Sequence, residues 1–208
     1  MLIPTLSAGM IRSVAVTILT ATLVSSCAMT TPASRFYVLA AATPTTIPAT
    51  DAPVVGIGPI QLPAYLDRPQ IVTRRNDHEL VISELHRWAE PLQSHVTATL
   101  AEDVQALRTD LRAIPYPWPT GTVVDRQVLV RITEMETGSD HRGTLSCQWE
   151  LRDRRSGDLL RTGRAKIERE SEGRDHSGRV ATLSAALNEL AQGIASLLPD
   201  GNAGVDSH

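Results

Sequence analysis

The chain has 208 residues, with 20 basic against 23 acidic side chains and a net charge of −3. That length suits one domain and is enough to bury a real core. Nucleic-acid binders carry a basic patch or stripe; here the densest basic group, Arg152, Arg154 and Arg155, is interrupted by Asp153, which also argues against a polybasic headgroup site.

At the amino end, Val14 to Val24 is an apolar run that follows Arg12 and leads into Ser25-Ser26-Cys27. A charged start, a short apolar stretch and small residues before a cut describe a secretory leader. A spanning helix would need about 20 apolar residues, and this run offers roughly half that, with Thr17, Thr20 and Thr22 inside it. Ser25-Ser26-Cys27 resembles a bacterial lipobox, which implies that residues 1–26 are a signal peptide and that Cys27 carries diacylglycerol and an acyl chain such as palmitate. Either Met1 or Met10 serves as the start, and a plain secretory signal beside a structural cysteine is the alternative. With Cys27 spent on lipid, Cys147 stands alone in Leu145, Cys147, Trp149, Leu151, where every second residue is apolar. It reads as a small hydrophobe on a buried strand face, so the fold stands without a disulfide.

Residues 27–34 form a short tether, and Arg35 to Leu39 reads as a first strand. Fully extended chain reaches about 3.3–3.6 Å per residue, so the sheet begins within roughly 30 Å of the lipid. Ala40 to Pro53 is an extended connection and Val54 to Leu62 a strand interrupted by Gly56 and Gly58. A Pro-rich corner, Pro63 to Pro69, leads to strands at Gln70 to Arg74 and Glu79 to Leu85, joined by a turn at Asn76-Asp77. After Pro91, Leu92, Val96, Leu100, Val104, Leu107 and Leu111 recur at helical spacing, with Pro115, Pro117 and Pro119 ending the helix. Val128, Val130 and Ile132 alternate as a strand does, then Leu145 to Leu151, and a turn at Ser156-Gly157-Asp158 leads to Leu159 to Glu168. Val180, Leu183, Leu187, Leu190, Ile194 and Leu197 make a second helix, closed by Pro199, and residues 200–208 read as a disordered tail. Apolar helix faces need the sheet as partner. The expected fold is therefore α/β: one domain over 35–199, a sandwich with a mixed, largely antiparallel sheet covered by two long helices.

No catalytic equipment stands out. The six histidines have no i, i+4 pair and there is no Cys-x-x-Cys, so neither metal nor other cofactor is expected. Ser139-Asp140-His141 and Asp175-His176-Ser177 hold triad letters, yet triads are assembled in space rather than from sequence neighbours. Gly56-Ile57-Gly58 lacks the third glycine of a dinucleotide turn. Glu134 and Glu136 share one strand face without a nameable partner.

Three stretches carry a resemblance: Phe36-Tyr37-Val38-Leu39; the run from Gly56 through Pro63-Ala64-Tyr65-Leu66-Asp67-Arg68-Pro69 to Val72; and His86-Arg87-Trp88-Ala89-Glu90-Pro91-Leu92. Together they resemble the PqiC/YmbA family of auxiliary lipoproteins of ABC-type transport systems that work with MCE proteins. The resemblance implies a non-enzymatic α/β lipoprotein on the periplasmic face of the outer membrane. Its partners would be an MCE-domain periplasmic protein and the ABC transporter or inner-membrane permease behind it, moving lipids or other hydrophobic molecules and supporting membrane integrity. A homo-oligomer stays open. Ala28, where an Asp would retain many lipoproteins at the inner membrane, favours the outer one. Tyr65, Leu66, Asp67 and Arg68, on a rigid corner, are candidate partner-binding residues, since Tyr and Arg anchor interfaces; the plainer reading is that they cap the sheet. Trp88 joins the candidates, with stapling of the first helix as its plainer role. Two other classes stay open: a lipid-binding carrier or sensor, against which the 3% aromatic content counts, and an anchored hydrolase, for which no nucleophile motif exists.

Overall fold

Alternation of apolar and polar side chains turns more of this sequence into sheet than into helix. The computed structural model describes residues 32–42, 48, 50–171 and 173–200; the leader, Cys27 and the tail from 201 lie outside the described residues. Residues 34–208 form one unit and 1–33 another, of which Pro32 and Ala33 alone are described. The strands are β1 (Arg35–Tyr37), β2 (Val54–Gln61), β3 (Gln70–Asn76), β4 (Glu79–Trp88), β5 (Arg112–Pro115), β6 (Arg126–Gly138), β7 (Arg142–Asp153) and β8 (Leu159–Glu170). Two helices accompany them, α1 (Leu92–Leu107) and α2 (His176–Leu197).

The hub is β6. Along one edge it pairs antiparallel with β7, from Arg126 opposite Asp153 to Thr137 opposite Gly143. Its other edge is shared: β2 lies parallel to its first half and β3 parallel to its far end, at Thr73 and Arg74. From there β4 continues antiparallel to β3, and β1 parallel to β4. The short β5 runs parallel to β2, and β8 antiparallel to β7. The sheet is mixed as expected, with its longest ladders antiparallel.

Both helices contribute to one core. Val96, Leu100 and Val104 of α1 and Ala186, Leu187 and Ala191 of α2 are fully buried with Ile57, Val128 and Leu145 of the sheet. The face of α2 meets the sheet closely at Gly143, where a Cβ would lie 2.6 Å from the Thr182 methyl. Cys147 is free and buried on this face, and burial pushes its thiol up to about 11. Burying the apolar stripes of both helices at about 25 cal/mol per Å2 is the main term holding the layers together.

Two expectations need correction. The first helix ends at Leu107, not at Leu111 before the prolines. Arg108 leaves helical geometry and its guanidinium donates to the Ala195, Leu198 and Pro199 carbonyls at the far end of α2, at 2.8, 2.9 and 2.9 Å. Leu111 is buried, but from a turn. The proline-rich stretch then supplies β5, which the sequence reading missed. Proline is tolerated there because β5 is an edge strand.

Gly56 and Gly58 also find their reason. A Cβ at Gly56 would sit 2.7 Å from the Trp118 ring, and Gly58 adopts a φ of 110° that side chains rarely accept. The chain is irregular between Ile57 and Ile60, and the Gln127 amide donates to the Gly58 carbonyl at 2.8 Å.

Candidate functional site

The proline-bounded corner between β2 and β3 folds back on itself. Leu66 N–H donates to the Pro63 carbonyl at 2.9 Å and Arg68 N–H to the Leu66 carbonyl at 2.8 Å. Leu66 is thereby turned into the core, 3% exposed, while Asp67 at the tip is exposed. Tyr65 also faces inward. Its hydroxyl donates to Glu136 Oε2 at 2.9 Å, and burial together with that carboxylate holds the phenol well above its usual value.

Glu136 is the centre of this arrangement. Only 2% exposed, it accepts from Tyr65, from Arg74 Nε at 2.7 Å, from a second nitrogen of the same guanidinium, and from the Met135 N–H at 3.0 Å. A buried carboxylate is tolerable only with such partners. Glu134 lies on the same strand, 3.6 Å from Arg74 Nε, and accepts from the Ser146 hydroxyl at 3.1 Å. The carboxylate pair seen in the sequence thus has a cation between its members. An irregularity between Ile132 and Glu134 keeps Met135 directed to the core while Glu136 meets the corner.

Trp88 lies apart from the corner tip, at the end of β4, buried at 5%. Its N–H donates to the Pro69 carbonyl at 2.7 Å, and the next residue, Ala89, donates to Tyr37 O at 2.9 Å. Trp88 therefore links the end of the corner, β1 and the start of α1 through its backbone. Of the candidates, Asp67 is exposed and Arg68 partly so; the Arg68 Nε is buried without a hydrogen-bond partner.

Sequence reasoning did not identify a second feature. An open groove of about 510 Å3 runs between the segment after β1 and the first half of α2, with Phe36, Val38 and Ala41 on one side and Val180, Ala181 and Ala185 on the other. Its first wall is pinned to the helices by backbone donors: Leu39 N–H to His95 Nε2 at 3.0 Å, Ala40 N–H to Ser184 Oγ at 3.2 Å, and Ala42 N–H to Asp103 Oδ1 at 2.9 Å. Phe36 and Val38 are 65% and 57% exposed, an unusual degree for large apolar residues so close together. The runs of Ala on both walls were the available signal, hidden because alanine is equally common in plain helix packing.

Among the described residues there is no group of three or more His, Cys, Asp or Glu able to hold a metal, and no helix long and apolar enough to cross a membrane.

Known proteins place this arrangement. No curated protein matches the chain significantly. Two solved structures share its fold: an uncharacterized protein, 18% identical, with a TM-score of 0.67 over 81% of this chain and 100% of its own, and protein XCC0632 from Xanthomonas campestris, 14% identical, with a TM-score of 0.61 over 77% and 92%. The model of the family described as ABC-type transport auxiliary lipoprotein component matches residues 37–195, from β1 into the last turn of α2. The chain belongs to that family of ABC-type transport auxiliary lipoproteins.

Proposed function

We propose that this protein is the outer-membrane component of an MCE-type ABC transport system, lipid-anchored through Cys27 and facing the periplasm, where it assembles with an MCE-domain protein served by an inner-membrane permease. The observation that carries this reading is the family match across the whole folded body, 37–195. The work is interaction rather than catalysis: the buried carboxylate Glu136 is saturated by donors that fix the corner, which presents Asp67 outward and leaves Arg68 partly exposed. A rigid, partly charged loop on a sheet is a good place for a partner to dock.

Pull-down of the lipidated protein from membranes, with Asp67→Ala/Arg68→Ala beside the wild type, tests the reading. Recovery of an MCE-domain protein with the wild type and its loss with the double variant are expected; wild-type membranes yielding no such protein would overturn it. In the same preparation, Cys27→Ala should appear in the soluble periplasmic fraction, and persistence on the membrane would refute the anchor.

One observation favours a second reading, that of a lipid-binding carrier or sensor: the apolar groove beside β1. Native mass spectrometry of the purified protein decides it. An acyl-chain adduct lost in Ala181→Trp supports the carrier, and a clean spectrum opposes it.

A further inference from the structure

The start of α2 is joined to the sheet by a cluster of rings. His176, the first residue of α2, stacks on His86 of β4 with centroids 3.6 Å apart and planes 3° from parallel. Tyr37 of β1 flanks both, its ring centroid 5.6 Å from His86 and 6.0 Å from His176. Outward from the stack, the Tyr37 hydroxyl lies 2.7 Å from His86 Nδ1 and the Ser83 hydroxyl 3.0 Å from His176 Nε2. Three elements far apart in sequence meet here. Among the described residues β1, three residues long, pairs with β4 alone, Arg35 opposite His86 and Tyr37 opposite Trp88, while the segment after it is held separately by His95, Ser184 and Asp103.

The surroundings suit neutral rings only. His176 occupies the amino end of α2, where the unpaired N–H groups make a positive pole. Arg179 follows one turn on, and Arg35 is the register neighbour of His86. On β4, Arg87 is held to the Glu84 carbonyl at 3.0 Å, and the Glu84 carboxylate is met by Gln70 at 3.4 Å. Asp175, just before α2, caps the helix on Gly178 N–H at 2.9 Å, and its carboxylate is the group that opposes these effects by favouring a charged His176. A charged His176 would lie at stacking distance from His86 and beside Arg179, with burial adding to the cost and only the capping Asp175 to offset it.

We propose that the Tyr37–His86–His176–Ser83 cluster is an acid-sensitive latch: protonation of His176 within the stack separates the first turn of α2 from β4 and frees β1 from the sheet edge. Burial, then His86 and Arg179, push His176 down to about 4, so the latch stays closed at neutral pH and opens in distinctly acid conditions. Because Tyr37 and Ser177 also line the apolar groove, opening widens the groove at that end. The proposal is independent of the transport reading.

Hydrogen–deuterium exchange of the full chain at pH 7.5 and pH 4.5, corrected for intrinsic rates, tests it. Exchange over residues 35–38 and 175–181 is expected to rise at least tenfold at pH 4.5 while β6 and β7 keep their protection. His176→Gln, which retains a polar group for Ser83 and cannot charge, should show no such rise, whereas His176→Lys should show it already at pH 7.5. Unchanged exchange in the wild type, or an equal rise in His176→Gln, overturns the latch, as does loss of protection across the whole sheet at pH 4.5. Should the variants not fold, NMR titration of the wild-type rings still decides: His176 titrating near the ordinary 6.5 refutes the proposal.

Discussion

Glu136 illustrates how one residue changes meaning between sequence and structure. In sequence it was half of a carboxylate pair with no partner; in the fold it is the buried post to which Tyr65 and Arg74 tie the corner. Tyr65→Phe removes one donor from a buried charge and should cost about 1–3 kcal/mol in urea unfolding. Asp67→Ala, at the exposed tip, should stay within about 0.5 kcal/mol. Asp103 is a second buried carboxylate, 0% exposed, whose Oδ2 has no partner. Burial raises its pKa, so folding favours its protonated form, and that favour is lost as pH rises through the raised value. Asp103→Asn keeps an acceptor for the Ala42 N–H and should raise stability at pH 7.5 by about 1 kcal/mol, with less gain in acid; urea unfolding at both pH values measures it. The burial of these two carboxylates was not legible in sequence, because apart from the Met135 N–H the partners named for Glu136 and Asp103 come from residues 61 or more positions away.

At the scale of elements, periodicity served well where an element's own side chains decide its burial. The stripe from Val180 to Leu197 became α2, and alternation in Leu145 to Leu151 became the centre of β7. It failed at the end of α1, where the apolar stripe continues to Leu111 but the helix does not. There Arg108 satisfies carbonyls at the end of α2, 87 to 91 residues away, and with Asp110 forms a bidentate pair at 2.7 Å. Arg108→Ala should therefore loosen both helix ends and cost about 1.5–3 kcal/mol, several charged hydrogen bonds being lost together. A fall in the urea midpoint, with faster amide exchange in the last turn of α2, would register this. Of the prolines that seemed only to stop a helix, Pro115 instead closes β5, since an edge strand paired with β2 alone needs few N–H donors.

At the scale of the whole molecule, His176 makes acid weaken the fold, against the opposite contribution of Asp103. The unfolded chain binds a proton on His176 near pH 6.5, whereas the folded chain binds it only near 4. Stability from this site is therefore complete above about 6.5 and falls as pH drops toward 4. A lower urea midpoint at pH 5 than at pH 7.5 is expected, the difference shrinking in His176→Gln. The sequence by itself determined the lipobox resemblance at Cys27, the family motifs and the order of the strands and helices other than β5, because these depend on short-range pattern: apolar runs, a 2 or 3.6 residue period, and turn chemistry. Only the tertiary structure decided which charges are buried, where α1 ends, that Tyr65 and Leu66 face inward, and that His86 meets His176. Each of those depends on groups that are distant in the chain and come together only when the sheet closes around β6.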